Sequence, residues 1–296
     1  MIINPFDCQP MKFQEYFKLL CSPPWLPTII NKLLFIPPKD NCYVLNVKPD
    51  GIVSMSLTNY LFMFDPIPAC INIKSYFVDC LKDRIAVVYL KPEVKSRYTI
   101  LYSHGNSNDL GAIFEMLVKM ITKVKCNIIV YDYSGYGSST GKPCESRIKH
   151  NVECVYDFML SDLNIKPDDI IALGYSIGSV AALHLATVRK VVGVVLHSAI
   201  ASFIRVLFPK IPWTMFCDKF KNVDTIKKVE CLVLVIHGLK DRHVPYSNGV
   251  LLHENARNKV EPLWVEHGTH HTVEEFEEYY QSLSRFIHND IPRHAN

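Results

Sequence analysis

Five residues constrain this chain most. Gly174-Tyr175-Ser176-Ile177-Gly178 stands between a short apolar segment and a longer one built of small residues. Asp169-Ile170-Ile171-Ala172-Leu173 reads as a buried strand, and Ser179 to Ala186 reads as a buried helix. A G-x-S-x-G at such a junction makes a sharp turn that holds its serine in a strained, exposed position, the geometry of a nucleophile elbow. The glycines let the helix pack close to the strand. Chance alone produces the bare pattern in roughly one chain of this length in ten. The strand–turn–helix setting and suitable partners downstream lift it above that background.

A serine hydroxyl is a poor nucleophile until a base takes its proton, and a third group must orient that base. On an elbow scaffold the partners follow in the order Ser, Asp or Glu, His, each at the C-terminal end of a strand. The strand Leu232 to His237 runs into Gly238-Leu239-Lys240-Asp241, which puts Asp241 at the acid position. The strand Pro262 to Val265 runs into Glu266-His267-Gly268-Thr269-His270-His271, a loop that can supply the base. His270, directly before the last helical pattern, is the expected base, with His271 as the alternative; His267 stands too near the strand end. Asp132, after the strand Asn127 to Tyr131, competes with Asp241 in some layouts but is expected to brace its loop. A metal site made of His267, His270 and His271 is not expected, because adjacent histidines face different ways and no nearby segment offers further ligands. No organic cofactor is needed either.

Two backbone N–H groups should meet the developing oxyanion. Ile177, next to the nucleophile, is one expected donor. Asn106, in the loop Ser103-His104-Gly105-Asn106 after the strand Thr99 to Ser103, is the other. His104 falls outside the Ser, Asp, His order and is assigned a structural role. The loop from Tyr131 to Gly141 carries three glycines but lacks the phosphate-binding and dinucleotide spacings. It is expected beside the active-site entrance.

The rest of the chain agrees with one α/β domain. At 296 residues, 49% hydrophobic and 21% charged, it excludes disorder, and a net charge of +3 with no Lys/Arg block argues against nucleic acid. Antiparallel strands are expected at Tyr43 to Val47, Asn72 to Cys80 and Arg84 to Leu90. From Thr99 onward strands alternate with helices at Leu110 to Lys123, Ser146 to Leu163, Ile177 to Arg189, Ser247 to Ala256 and Thr272 to His288, a pattern of parallel pairing. With the elbow, this predicts the α/β-hydrolase fold: a mostly parallel, eight-stranded sheet with helices on both faces and a small cap insert. Residues 1–40 read as a segment for packing or membrane association, 41–290 as the hydrolase domain with a possible cap at 199–228, and 291–296 as a tail. The helix-forming stretch from Met11 to Cys21 presents Phe13, Tyr16, Phe17 and Leu20 on one face. Met1 to Pro10 has no basic leader, and the longest uncharged run, Ile170 to Val188, contains the elbow, so no membrane-spanning segment is expected. Ten cysteines scatter without C-x-x-C pairs and read as reduced thiols in a cytosol-facing protein.

The segments Ser103 to Asn106, Tyr131 to Gly137, Gly174 to Gly178, Leu196-His197-Ser198, Val235 to Gly238 and Val260-Glu261-Pro262-Leu263-Trp264-Val265-Glu266 together resemble the α/β-hydrolase domain-containing protein 17 family. The likeness runs from about Leu33 to Ile287. It implies a serine hydrolase that removes palmitate from cysteines of membrane-associated proteins, with Ser176, Asp241 and His270 as its triad. A carboxylesterase or lipase acting on small-molecule or lipid esters is the alternative with the same triad. The resemblance further implies a cytoplasmic enzyme held peripherally at the plasma or endosomal membrane by acylated N-terminal cysteines. Here only Cys21 and an isolated Cys8 offer themselves as lipidation sites, where the family carries a cluster. Two other departures stand out: Tyr175 where Gln is usual, and Gly268-Thr269-His270-His271 where Gly-x-Gly-His-Asn is usual.

Overall fold

The computed structural model describes residues 31, 34–58, 70–211 and 218–291. The chain divides into two compact units, Met1–Ile36 and Pro37–Asn296; the sheet and the site both belong to the second. Cys8, Cys21 and the aromatic face around Phe13 lie outside the described residues, as does 212–217 in the expected cap.

Ten strands form one sheet: β1 (Tyr43–Val47), β2 (Val53–Leu57), β3 (Ile71–Cys80), β4 (Asp83–Pro92), β5 (Thr99–Ser103), β6 (Asn127–Tyr131), β7 (Ile170–Tyr175), β8 (Gly193–His197), β9 (Leu232–Gly238) and β10 (Leu263–Val265). Their order is β1-β2-β3-β4-β6-β5-β7-β8-β9-β10, antiparallel as far as the β4–β6 pair and parallel from β6 through β10. Every residue of β5, β6, β7 and β8 is buried. Burial on both faces is what a parallel sheet sandwiched between helices requires, and it explains the unbroken apolar runs. The helices are α1 (Phe114–Val124), α2 (Glu145–Ser161), α3 (Gly178–Val188), α4 (Phe203–Leu207), α5 (Asn222–Thr225), α6 (Ser247–Asn255) and α7 (Glu277–Arg285). α1 packs with α7, and α2 packs with α3. Among the described residues no helix is long and apolar enough to cross a membrane.

The sheet has two strands more than the expected eight. β2, Val-Ser-Met-Ser-Leu, escapes the sequence because its residues are mostly half-exposed and two of the five are serine. Antiparallel pairing with β1, in the register Tyr43↔Leu57 to Val47↔Val53, is what makes it a strand. Two helix starts also differ from expectation. α1 begins at Phe114, not Leu110, because the Asp109 carboxylate accepts from the Ala112 and Cys42 N–H groups and holds that stretch as a loop. α7 begins at Glu277 because Phe276 is extended (φ −82°, ψ 138°), leaving Val273–Glu275 as a separate 3-10 turn.

One cysteine expectation is corrected. Cys80, the last residue of β3, and Cys154 on α2 form a disulfide with Cα atoms 5.7 Å apart. Seventy-four residues separate them, and no local spacing signals the pair; the packing of α2 on β3 creates it. Among the described residues Cys70, Cys126, Cys144 and Cys231 are free thiols, and burial pushes the Cys126 and Cys231 thiols up to about 12.

Candidate active site

The elbow is built from backbone strain and missing side chains. Ser176 sits at φ +52°, the left-handed region that non-glycine residues rarely occupy and that clusters at functional sites. The turn is bolted to the sheet by the Ser176 N–H, which donates to the His197 carbonyl at 2.9 Å. Both flanking glycines are required by space. A Cβ on Gly174 would stand 2.5 Å from the Gly178 carbonyl, and one on Gly178 would stand 2.0 Å from the Ser103 carbonyl. The start of α3 therefore lies against the backbone of residues 103–104. Ile177, which caps α3, stands one position before the glycine that meets this backbone, and Asn106 lies two residues beyond it in the loop. The Asn106 side chain is held in turn by the Tyr136 hydroxyl, which donates to its Oδ1 at 2.7 Å.

Ser176, His270 and Asp241 come together from three separate strand ends. His270 Nε2 is 3.1 Å from Ser176 Oγ, and His270 Nδ1 is 2.7 Å from Asp241 Oδ2. All three are more than nine-tenths buried. Asp241 accepts on every side: its Oδ1 takes the His243 N–H at 2.9 Å and the Val244 N–H at 2.8 Å, and its Oδ2 faces two histidines. Burial alone would raise its pKa. Hydrogen bonds from His237 and His270, the favourable electrostatics of the His270 ring beside it and the Val244 N–H outweigh that and hold it well below the usual carboxylate range. An ionised Asp241 keeps the proton on Nδ1 of neutral His270 and leaves the Nε2 lone pair facing the serine, the tautomer a general base needs.

The acid and base loops are zipped together by backbone. Leu239 N–H donates to the Val265 carbonyl, and Lys240 N–H donates to the Gly268 carbonyl at 3.0 Å. A Cβ on Gly238 would stand 2.3 Å from that same Gly268 carbonyl.

The remaining sequence candidates lie elsewhere. His267 Nδ1 reaches Lys240 Nζ at the exposed edge, 3.0 Å away. His271 points to the Tyr175 hydroxyl and not to Ser176. Asp132 accepts from the Tyr43 hydroxyl and the Leu110 N–H, with His104 Nε2 at 3.2 Å, so this acid braces the loops below the site. Among the described residues no group of three acidic, His or Cys side chains can hold a metal ion.

Sequence reading missed several neighbours of the triad. His237 Nε2, which donates to the Val244 carbonyl at 2.9 Å, lies 3.3 Å from Asp241 Oδ2. His243 packs on both His270 and His271 with ring centroids 5.4 and 5.0 Å apart. His197 is fully buried beneath Tyr175, and burial, with His270 and His237 nearby, pushes its pKa down to about 3. Only the place of His237 four residues before the acid offered a signal. The two site departures noted above, Tyr175 and the loop ending in His271, prove to touch each other.

Comparison with known proteins agrees with this geometry. Residues 69–260 match the family model described as Chlamydia CHLPS protein (DUF818). Human alpha/beta hydrolase domain-containing protein 17B is 34% identical over 286 residues, covering 95% of this chain and 98% of its own length. The chain belongs to the alpha/beta hydrolase domain-containing protein 17 family. Alpha/beta hydrolase domain-containing protein aho-3 of Caenorhabditis elegans is 32% identical over 286 residues, covering 94% of this chain and 83% of its own length. Solved structures share the fold at lower identity. The Pyrococcus furiosus esterase Pf2001 superposes with a TM-score of 0.62 at 16% identity, covering 86% of this chain and 97% of its own. Est1E from Butyrivibrio proteoclasticus, with ferulic acid bound, gives 0.58 at 17% identity over 72% and 97%. The fold is that of the α/β-hydrolases, and the chain is a hydrolase of that fold.

Proposed function

We propose that this hydrolase cleaves long-chain S-acyl thioesters, S-palmitoyl-cysteine above all, from proteins at membrane surfaces. The observation that carries the hydrolytic part is the Ser176–His270–Asp241 line, 3.1 and 2.7 Å long. The thioester part rests on the family resemblance. Ser176 Oγ attacks the acyl carbonyl as His270 Nε2 takes its proton, and the Ile177 and Asn106 N–H groups receive the oxyanion. Loss of one such donor typically costs about 10²–10³ in turnover. The tetrahedral intermediate collapses, the C–S bond breaks, and His270 returns the proton to the departing cysteine sulfur. Water, deprotonated by His270, then releases the fatty acid and regenerates Ser176. The chain's own groups complete both half-reactions.

Membrane recruitment through acylated Cys21 and Cys8 belongs to the same reading. One acyl chain holds a protein only marginally, so the aromatic face at Phe13, Tyr16, Phe17 and Leu20 would add the second signal. Replacing both cysteines by serine is expected to move the protein from membrane to soluble fractions; an unchanged distribution would remove this element.

The decisive assay labels wild type and Ser176→Ala with a fluorophosphonate probe and offers both a palmitoyl-cysteine peptide. Labelling and cleavage that vanish together in the variant support the thioesterase. Labelling without cleavage transfers the site to the carboxylesterase alternative. Absence of labelling in folded wild type removes the enzyme reading.

A further inference from the structure

Tyr175 occupies the first variable position of the elbow, at the end of β7, and its side chain runs beneath the catalytic histidine. The ring fills a slot that exists because residue 105 is glycine: a Cβ there would stand 2.7 Å from the ring. On its other sides it packs against His197 (centroids 4.7 Å apart) and His270 (5.2 Å). The residue is 5% exposed, so its hydroxyl has little water to satisfy it. That hydroxyl donates to the His270 carbonyl at 2.9 Å and lies 3.0 Å from His271 Nδ1. A carbonyl can only accept, so the single hydroxyl proton goes to His270. The second contact is then His271 Nδ1–H donating to the phenolic oxygen. Burial and the nearby His270 and His243 push the His271 pKa down to about 4, which keeps its ring neutral at pH 7 and suited to that role.

The ends of the base loop are held by the Gly268 N–H, which donates to the Val265 carbonyl, and the Thr269 N–H, which donates to the Thr272 side-chain Oγ1. Across its middle the Thr272 N–H donates to the Thr269 carbonyl at 3.4 Å, and the Tyr175 hydroxyl adds a tie from another strand end. Among the described residues the Tyr175 hydroxyl is the donor that reaches the His270 carbonyl. We infer that Tyr175, with His271, is a positioning latch: it ties the backbone of the general base to the residue adjoining the nucleophile and thereby sets the Ser176–His270 distance. Ninety-four residues separate Ser176 and His270 in sequence, and the latch adds one phenol to the contacts that set their spacing. The latch rests on the serine-hydrolase reading but not on the choice of thioester over ester.

Tyr175→Phe keeps the ring and removes the hydroxyl. Three readouts test it: the second-order rate of fluorophosphonate labelling at Ser176, kcat and KM for whichever ester or thioester wild type turns over, and the low-field proton resonance of His270 Nδ1–H. Misplacement of a reacting group on the scale of an ångström costs up to about 10², so labelling and kcat are expected to fall together by roughly tenfold with KM within about twofold. The resonance should broaden. His271→Ala should cost less than about threefold and add nothing on top of Tyr175→Phe, as expected for two members of one unit. A folded Tyr175→Phe that labels at the wild-type rate with an unchanged resonance overturns the latch. If that variant does not fold, wild type decides: a protected Tyr175 hydroxyl proton with a nuclear Overhauser contact to His271 Hδ1 supports the latch, and its absence overturns it. Wild type that labels but cleaves no thioester defeats the thioesterase reading alone; wild type that does not label defeats both.

Discussion

The elbow and the base loop solve opposite problems. Between Gly174 and Gly178 the geometry is local: a strand, two missing side chains and one residue at positive φ place Ser176. Between Gly268 and Thr272 little is local. His270 is placed by Asp241 from another strand end, by the backbone of Leu239 and Lys240, and by a tyrosine 95 residues earlier. The nucleophile is aimed mainly by the strained turn itself, pinned against the His197 and Ser103 carbonyls, and the base almost wholly by tertiary contacts. Damage to the elbow should therefore register as stability and nucleophile loss, and damage to the base loop as loss of catalysis in a folded protein.

The comparison can be broken at several points. Ser176→Ala should have the largest effect, lowering turnover by about 10⁶-fold with folding intact, read by acyl-enzyme trapping. Asp241→Asn should come next, at about 10⁴-fold, because the amide cannot hold His270 in its tautomer; a melting temperature near wild type would confirm that the loss lies in the base. Gly178→Ala tests the elbow. Its Cβ collides with the Ser103 carbonyl, so chemical denaturation should show about 3 kcal/mol of destabilisation, and a neutral result would mean that the α3 start is looser than described.

The buried histidine beneath the elbow supplies a pH test. His197 in the fold has a pKa of about 3, below the 6.5 of the unfolded chain, so between these values the unfolded state binds the extra proton. Stability is then complete above pH 6.5 and falls as pH drops, by about 2 kcal/mol at pH 5 from this group. Asp241, depressed in the fold, contributes stability that is present above the unfolded carboxylate value near 4 and lost only as pH falls further. A His197→Asn variant whose urea midpoint declines as steeply from pH 7 to 5 would contradict the assignment. The smallest effect belongs to His267→Ala. Its ring touches only Lys240 at the exposed edge among the described contacts, and activity and stability should stay within about 0.5 kcal/mol of wild type.

Much of the fold and site was legible beforehand because it depends on short-range chemistry. β5 and β6 were bounded to the residue, since fully buried parallel strands are written as unbroken apolar runs ending in turn residues. Ser176, Asp241 and His270 were legible as candidates because each closes such a run in the order the elbow demands. β2 was not, because a half-exposed segment between β1 and β3 carries a weak apolar signal and becomes a strand only by pairing. The Cys80–Cys154 bond was misread for a similar reason: thiol proximity depends on how α2 lies on β3.

By itself, then, the sequence determined the alternation of strands and helices, the elbow and the order of the catalytic residues, because backbone periodicity and steric exclusion act between near neighbours. Only the tertiary structure decided that His270 and not His271 faces the serine, that Asp132 serves Tyr43 and Leu110, and that Tyr175 reaches the base. Those outcomes depend on hydrogen bonds of about 3 Å closed between residues that the chain holds far apart. A donor finds such an acceptor only after the sheet has assembled around both.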